Sequence, residues 1–301
     1  MKQSEMLRRI LADKDFIDDH DYLDHWLVEK YIEDHLSLDM ILKDKKFLQS
    51  LSRAAIQDLE ENYLEYLEDT AELKPQPRSK INYVGIELEC FTHYDRSDLF
   101  NKIVKHGLEK NVQAVSDGSI EADFGDDCEL RILLPEKDLA GGLKKVGKLL
   151  TKGKFGINKS CGLHVHLDMR NRNVNVCYER LLKFQNILFG MIKKERWNNT
   201  YCKPTSNDNR YDRYVAINKE QAYAAHRTIE VRLHHATLDM KQIELWVKLL
   251  LKVISSKTPP PKETKADVLK WGKKQRGISQ YISKNFNEDW FKEKRVASGG
   301  D

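Results

Sequence analysis

The chain has 301 residues, 40% hydrophobic and 33% charged, which predicts a folded protein of about two domains and excludes a disordered or collagen-like chain. No apolar run approaches the roughly 20 residues that a membrane helix needs, so we expect no membrane contact. The five cysteines are odd in number and form no CxxC pair, which favours reduced thiols and a cytoplasmic location.

The net charge of +4 conceals an imbalance along the chain. Residues 1–74 carry 10 Lys and Arg against 19 Asp and Glu, a net charge of −9. Residues 75–301 carry 41 against 28, a net charge of +13. Such asymmetry indicates separate modules with different contacts.

Residues 1–74 contain apolar side chains at helical spacing and neither glycine nor proline, which predicts an acidic helical N-terminal extension. Two interpretations are open: a plain extension that packs on the main domain, or an adaptor that binds a protein partner. Pro75-Gln76-Pro77 is the first cluster of helix-breaking residues, and we place a domain boundary there.

Residues 75–258 mix strands with helices, and we expect them to form one domain. Alternation predicts strands at 80–90, 112–115, 128–134, 163–167, 214–217 and 228–233. Helical spacing predicts helices at 96–108, 139–150, 176–194 and 242–256, with an interruption at Gly141-Gly142. Because some strands adjoin in sequence, the pattern favours an α+β fold with a largely antiparallel sheet.

Residues 259–301 form a third region, which begins with the stiff spacer Pro259-Pro260-Pro261. The region is basic, and we predict helices that end in a flexible tail. The expected anchors are aromatic: Trp271, Tyr281, Phe286, Trp290 and Phe291.

Two glutamates lie at spacing two in the first strand, in Gly85-Ile86-Glu87-Leu88-Glu89. Side chains alternate along a strand, so Glu87 and Glu89 share one face. Adjacent carboxylates repel, and they are tolerated in solvent or around a cation such as Mg²⁺ or Mn²⁺. The segment predicts either a metal-binding pair or an ordinary solvated face.

Two later strands carry polar residues at the same spacing. His164 and His166 share a face and indicate either metal or phosphate ligands or a hydrogen-bonded pair. Glu230, Arg232 and His234 are also expected to share a face. There, a carboxylate beside a guanidinium indicates either a salt bridge or a metal ligand next to an arginine that neutralises phosphate oxygens.

An acidic stretch lies between the first two of these strands. Asp117, Gly118 and Ser119 are typical of a turn, and Glu121 follows. Glu129 lies in an apolar strand context and is the stronger candidate for an inward-facing ligand.

The combination of ExE, acidic, HVH and IEVR segments resembles glutamine synthetase and its carboxylate–amine ligase relatives, and most closely the smaller amidoligase branch. The matching segments are residues 85–89, 117–119 with Glu129, 162–167, and 228–232 with Thr237. The resemblance covers about residues 81–256. It implies a glutamine synthetase-like catalytic domain, with a mostly antiparallel curved sheet flanked by helices.

The resemblance also implies roles for individual residues. The ligands of a metal that bridges ATP phosphates would be Glu87, His164 and Glu230. The ligands of a second metal, nearer the acceptor carboxylate, would be Glu89 and Glu129 with Asp117 or Glu121. The nucleotide contacts would be His166, Arg227 and Arg232, the last on the transferred γ-phosphate. The catalytic residues would be Arg232, Glu230 and Glu129.

The activity implied by the resemblance is ATP-dependent amide, peptide or isopeptide bond formation through an acyl phosphate, with release of ADP and phosphate. It implies two or more Mg²⁺ or Mn²⁺ ions and a small-molecule or peptide carboxylate and amine as substrates. The terminal Gly299-Gly300-Asp301 is interpreted as a flexible end, with a self-substrate for ligation as the alternative.

Other functional classes remain open from the residues alone. His164, His166 and Glu230 are compatible with a metal-dependent hydrolase or oxygenase, although Arg232 then has no obvious role. A nucleic-acid-binding module is disfavoured because the basic residues are interspersed with acids and no nucleic-acid motif occurs. A non-catalytic protein-binding module would depend on the acidic residues 1–74.

Overall fold

The structure is a computed structural model that describes residues 63, 81–197, 199–223, 227–273 and 277–297. The predictions for the N-terminal extension, for the boundary at 75–77 and for the C-terminal Gly-Gly-Asp therefore lie outside the described residues, apart from Tyr63. The described chain falls into two compact units. Residues 63 and 94–109 belong to one unit, and residues 81–93 with 110–297 belong to the other.

In the first unit the described helix is α1, Arg96–Lys105. Asp95 caps its N-terminus by accepting a hydrogen bond from the Asp98 N–H at 2.7 Å. Leu99 and Ile103, four residues apart, are buried on one side of the helix.

The second unit is built on a seven-stranded open sheet in which every strand pairing is antiparallel. The strand order is β2-β3-β1-β5-β7-β6, with β4 paired to the end of β1. The strands are β1 (Tyr83–Thr92), β2 (Val112–Val115), β3 (Asp126–Pro135), β4 (Phe155–Gly156), β5 (Gly162–Asp168), β6 (Ile217–Asn218) and β7 (Thr228–His235). The predicted α+β class and largely antiparallel sheet are confirmed.

Helices of the same unit supply much of the apolar core. They are α2 (Leu139–Leu149), α3 (Val174–Phe189), α4 (Met240–Ser255), α5 (Lys265–Gly272), α6 (Ile278–Asn285) and α7 (Asp289–Ala297). Helix α4 contacts α2, α3 and α6, and its Trp246 is fully buried. None of the described helices combines the length and apolar character that crossing a bilayer requires.

Alternation along the central strands separates an apolar face from a polar one. Ile86 and Leu88 of β1 and Val165 of β5 are almost completely buried. In β1 these residues alternate with Glu87 and Glu89, and in β5 Val165 lies between His164 and His166. This separation leaves one sheet face free for polar groups.

The predicted interruption of α2 at Gly141-Gly142 is wrong, because the helix runs through both residues. Gly142 is buried against β3, and a Cβ atom placed there would lie 2.4 Å from Leu134 Cδ2. Glycine therefore permits close packing between helix and strand at this point.

The C-terminal helices pack in the same compact unit as the sheet. Trp290 of α7 stacks on Phe189 of α3 with ring centroids 4.8 Å apart. Four of the five expected aromatic anchors are buried, and the fifth, Trp271, is half-buried. Trp271 lies 5.0 Å from the Phe184 ring.

The prediction that His234 shares a face with Glu230 and Arg232 is wrong, because a β-bulge lies between β5 and β7. The pairing passes from Val165–Val231 to Leu163–His234, so β7 has an extra residue there. His234 consequently turns to the helix side, where its ring lies 5.0 Å from that of Trp246. It does not share the face of Glu230.

The N-terminus of α4 offers a test of local stability. Asp239 caps the helix by accepting hydrogen bonds from the N–H groups of Lys241 and Gln242. Asp239→Ala is expected to lower the free energy of unfolding by about 1 kcal/mol, because two backbone donors lose their partner. Urea denaturation measures this, and Asp239→Asn, which keeps a capping oxygen, should retain most of the stability. Equal losses in the two variants would contradict the capping role.

Candidate functional site

Strand register brings the polar residues of four strands together on one sheet face. Across β1 and β5, Glu87 lies directly opposite His164. Across β1 and β3, Glu89 lies opposite Glu129. Residues directly opposite each other in an antiparallel pair have Cβ atoms about 5 Å apart, within reach of shared ligands. The order of strands in the sheet, rather than their order in sequence, thus creates the cluster.

The first cluster consists of Glu87, His164 and Glu230, one residue from each of three adjacent strands. Their ligand atoms lie within 4.8 Å of one another. His164 Nδ1 is 3.1 Å from Glu87 Oε2 and 3.8 Å from Glu230 Oε1. His164 and Glu230 are buried, so these donors are held away from bulk solvent.

The second cluster consists of Glu89, Asp117 and Glu129, whose ligand atoms also lie within 4.8 Å of one another. The Asp117 N–H donates to Asp127 Oδ2 at 2.6 Å, which fixes the turn. Asp117 Oδ1 accepts from the Ser119 N–H at 2.9 Å, as expected for an aspartate turn. The turn that contains Asp117 therefore lies next to Glu89 and Glu129 of the sheet.

Glu121 and Arg227, both named by the sequence, lie outside these clusters. Glu121 is exposed, and its backbone rather than its carboxylate is engaged, by Ser160 and Asn158. Arg227 is also exposed and adopts the left-handed backbone region, with φ of 49°. Of the two alternatives Glu121 and Glu129, the geometry places Glu129 in the cluster.

The two clusters are in contact through His164. Its Nε2 atom lies 3.4 Å from Glu89 Oε1, while its Nδ1 faces the first cluster. Glu89 also accepts a short hydrogen bond from the Gly162 N–H. A Cβ atom on Gly162 would lie 3.0 Å from His164 Nε2 and 3.2 Å from Glu89 Oε2, so glycine gives these groups room.

The electrostatics of the site are strongly negative. Burial acts to lower the pKa of His166, but Glu87, Glu230 and Glu129 outweigh it and raise that pKa to about 9. Burial acts to raise the pKa of Glu87, yet His166 and His164 hold it well below its usual range. Such a potential favours positive charge at the cluster.

Arg232 and Asn218 complete the edge of the site next to Glu230. Arg232 Nη1 donates to Glu230 Oε1 at 2.5 Å, and Arg232 Nε donates to the Tyr201 carbonyl at 3.1 Å. Asn218 Nδ2 donates to Glu230 Oε2 at 3.4 Å. His166 lies between Thr228 and the first cluster, with Nδ1 3.0 Å from Thr228 Oγ1 and Nε2 3.1 Å from Glu87 Oε1.

Two polar residues near the site were not predicted from the sequence. Asn218 ends β6, one residue after the predicted strand at 214–217, and no spacing marks it. Arg196 is 3% exposed and donates from Nη2 to the Arg232 carbonyl at 2.9 Å. It lies in a single 3₁₀ turn, which has no periodicity that could reveal an inward-facing guanidinium.

The donor sets fit hard divalent cations. Each cluster supplies at least two carboxylates, and oxygen-rich sets of this kind suit Mg²⁺ or Mn²⁺. Two ligands of one Mg²⁺ are at most about 4.2 Å apart, given bonds of about 2.1 Å. Small side-chain rotations would bring either cluster to this spacing, so both could hold an ion.

One of two comparisons with known proteins found a match. The sequence model of a family described as "Putative amidoligase enzyme" matches residues 132–209 and 193–254. The matched part includes His164, His166, Glu230 and Arg232, and it begins after Glu87 and Glu89. A search of curated proteins found no match. The match covers less than half of the chain and shows similarity to an amidoligase family.

Proposed function

We propose that this protein is an ATP-dependent carboxylate–amine ligase that forms an amide, peptide or isopeptide bond and releases ADP and phosphate. The observation that carries the proposal is the pair of touching carboxylate clusters next to Arg232 on one sheet face. The amidoligase family match supports the same conclusion. A glutamine synthetase-like fold, a cytoplasmic location and small-molecule or peptide substrates belong to the proposal.

The two clusters would hold the metal cofactors of the proposed reaction. Glu87, His164 and Glu230 would hold one Mg²⁺ or Mn²⁺, and Glu89, Asp117 and Glu129 would hold another. The bound ions would supply charge neutralisation on the phosphate oxygens of ATP. The contact between the clusters through His164 supports a single reaction centre.

The protein's own residues would position the reacting groups. Arg232 is held by Glu230 and by the Tyr201 carbonyl, so its guanidinium is oriented before substrate binds. It would stabilise the γ-phosphoryl group as a substrate carboxylate oxygen attacks phosphorus and ADP leaves. An amine would then attack the acyl carbon of the acyl phosphate, lose a proton and displace inorganic phosphate.

The direct test is to measure ADP and phosphate release. The protein is incubated with ATP, Mg²⁺ and pools of amino acids, polyamines or peptides, and products are followed by chromatography. ADP with a new amide product supports the proposal, whereas AMP would indicate adenylation. A metal-dependent hydrolase would act without ATP. No ATP turnover with any pool would contradict the proposed ligase.

Measurements of metal affinity test whether Asp117 or Glu121 is a ligand of the second cluster. Asp117→Asn is expected to weaken Mn²⁺ binding about tenfold or more, because a charged ligand of the second cluster is lost. Glu121→Gln, a matched charge change four residues away, should leave the affinity within about twofold. Titration calorimetry measures both. A larger loss in Glu121→Gln would show that the carboxylates exchange roles.

A further inference from the structure

A cavity of about 800 Å³ lies in the sheet-containing unit, and no residue of the two carboxylate clusters lines it. Its wall includes His235, which pairs with Gly162 across β5 and β7. The Gly162 N–H donates to Glu89, so the cavity wall and the candidate site are linked through one residue. The volume lies within the range of small-molecule sites.

The cavity has a positive rim with unpaired charges. Within the described residues, the ammonium groups of Lys193, Lys265 and Lys284 form no ion pair or hydrogen bond. Lys292 is paired with Asp289 at 3.1 Å. Glu288 is then a single carboxylate against three free ammonium groups, which leaves a net charge of about +2 at the rim.

The wall of the cavity shows the same positive potential. Burial, Lys193 and Arg196 lower the pKa of His235 to about 4, so its imidazole is neutral. Gln242 Nε2 lies 3.5 Å from His235 Nε2 and can donate to it, which places the ring proton on Nδ1. Nδ1 has no hydrogen-bond partner among the described residues. This nitrogen is itself buried, so the unsatisfied atom lies behind the surface of the cavity wall.

The cavity also has a buried apolar part. Met191, Ile192 and Phe286 contribute to its lining and are at most 6% exposed. These side chains are already out of contact with water, so a ligand gains little by covering them. The unpaired ammonium groups therefore define the complementary ligand, which is a small anion.

We propose that this cavity binds a small ligand with two negative charges on oxygen atoms, a phosphomonoester or a dicarboxylate. The two charges match the rim formed by Lys193, Lys265 and Lys284 against Glu288. The proposal concerns binding alone and is independent of the ligase reaction.

Titration calorimetry without ATP or divalent metal tests the proposal. Phenyl phosphate and phenylsuccinate are the phosphate and dicarboxylate probes, and benzyl alcohol is the uncharged control. One dianion or both should bind at one site per chain, with affinity that falls as salt is raised. The tighter probe identifies the anion class. If neither dianion binds, or if benzyl alcohol binds as well, the proposal is overturned.

A matched pair of variants places the binding in the cavity. The double variant Lys193→Ala/Lys284→Ala is expected to lower the affinity for the dianion about tenfold or more. Lys257→Ala/Lys262→Ala removes the same charge from exposed positions outside the cavity and should change the affinity less than about twofold. Lys193 and Lys284 are exposed, so the fold should persist, which thermal unfolding checks. Equal weakening in the two double variants would overturn the assignment.

Discussion

Glu230→Gln is expected to lower the rate of ADP formation by about a hundredfold or more. Glu230 is 3% exposed and combines three contacts, with Arg232, Asn218 and His164. Glutamine keeps the size of the side chain and one carbonyl oxygen, so packing is preserved. It removes the charge that orients Arg232 and that would bind a divalent ion. Both the reaction rate and Mn²⁺ affinity should therefore fall together.

Glu244→Gln is the matched control for this prediction. Glu244 is also a buried glutamate, 7% exposed, but it lies on α4 and pairs with Lys241 and Lys248. Its replacement should leave the rate of ADP formation within about threefold and affect only stability. If the Glu230→Gln protein is folded and forms ADP at the wild-type rate, the first cluster has no role in the reaction.

The polar face was predictable along β1 and β5 because side chains alternate along a regular strand. Glu87 and Glu89 in one strand, and His164 and His166 in another, need only the period of two to share a face. The structure pairs β1 with β5 so that Glu87 meets His164. Strand order and register were outside the reach of periodicity, because they depend on contacts across 77 residues of sequence.

His234 shows where the period of two fails. One extra residue in β7 reverses its alternation, and the sequence around 232–234 contains no glycine to mark a bulge. The reversal sends His234 toward Tyr281, with His234 Nε2 3.0 Å from Tyr281 Oη. The histidine thus contacts a buried partner from α6, 47 residues away, which no local pattern around 232–234 indicates.

The choice between Asp117 and Glu121 as the candidate acidic ligand also needed tertiary contacts. Asp127 accepts from the Asp117 backbone and holds that turn against the sheet. Asn158 and Ser160 hold the backbone at Glu121, whose side chain is exposed. Composition and spacing treat these two acids alike, whereas hydrogen bonds from distant segments separate them.

Arg232→Ala is expected to lower the rate of ADP formation by about a thousandfold, the scale seen when an arginine on a transferred phosphoryl group is lost. Arg232→Lys should retain only a small part of the wild-type rate of ADP formation. The guanidinium donates to Glu230 and to the Tyr201 carbonyl at the same time, through Nη1 and Nε. An ammonium is a point charge and cannot reproduce this fork.

Metal affinity separates the role of Arg232 from that of its partner. Because Arg232 is a cation beside Glu230, its removal should leave Mn²⁺ binding intact or tighter, whereas Glu230→Gln should weaken it. Added guanidine should restore part of the rate of Arg232→Ala if the guanidinium acts on the phosphoryl group. If Arg232→Ala loses Mn²⁺ affinity as Glu230→Gln does, and guanidine restores nothing, Arg232 only maintains the geometry of the cluster.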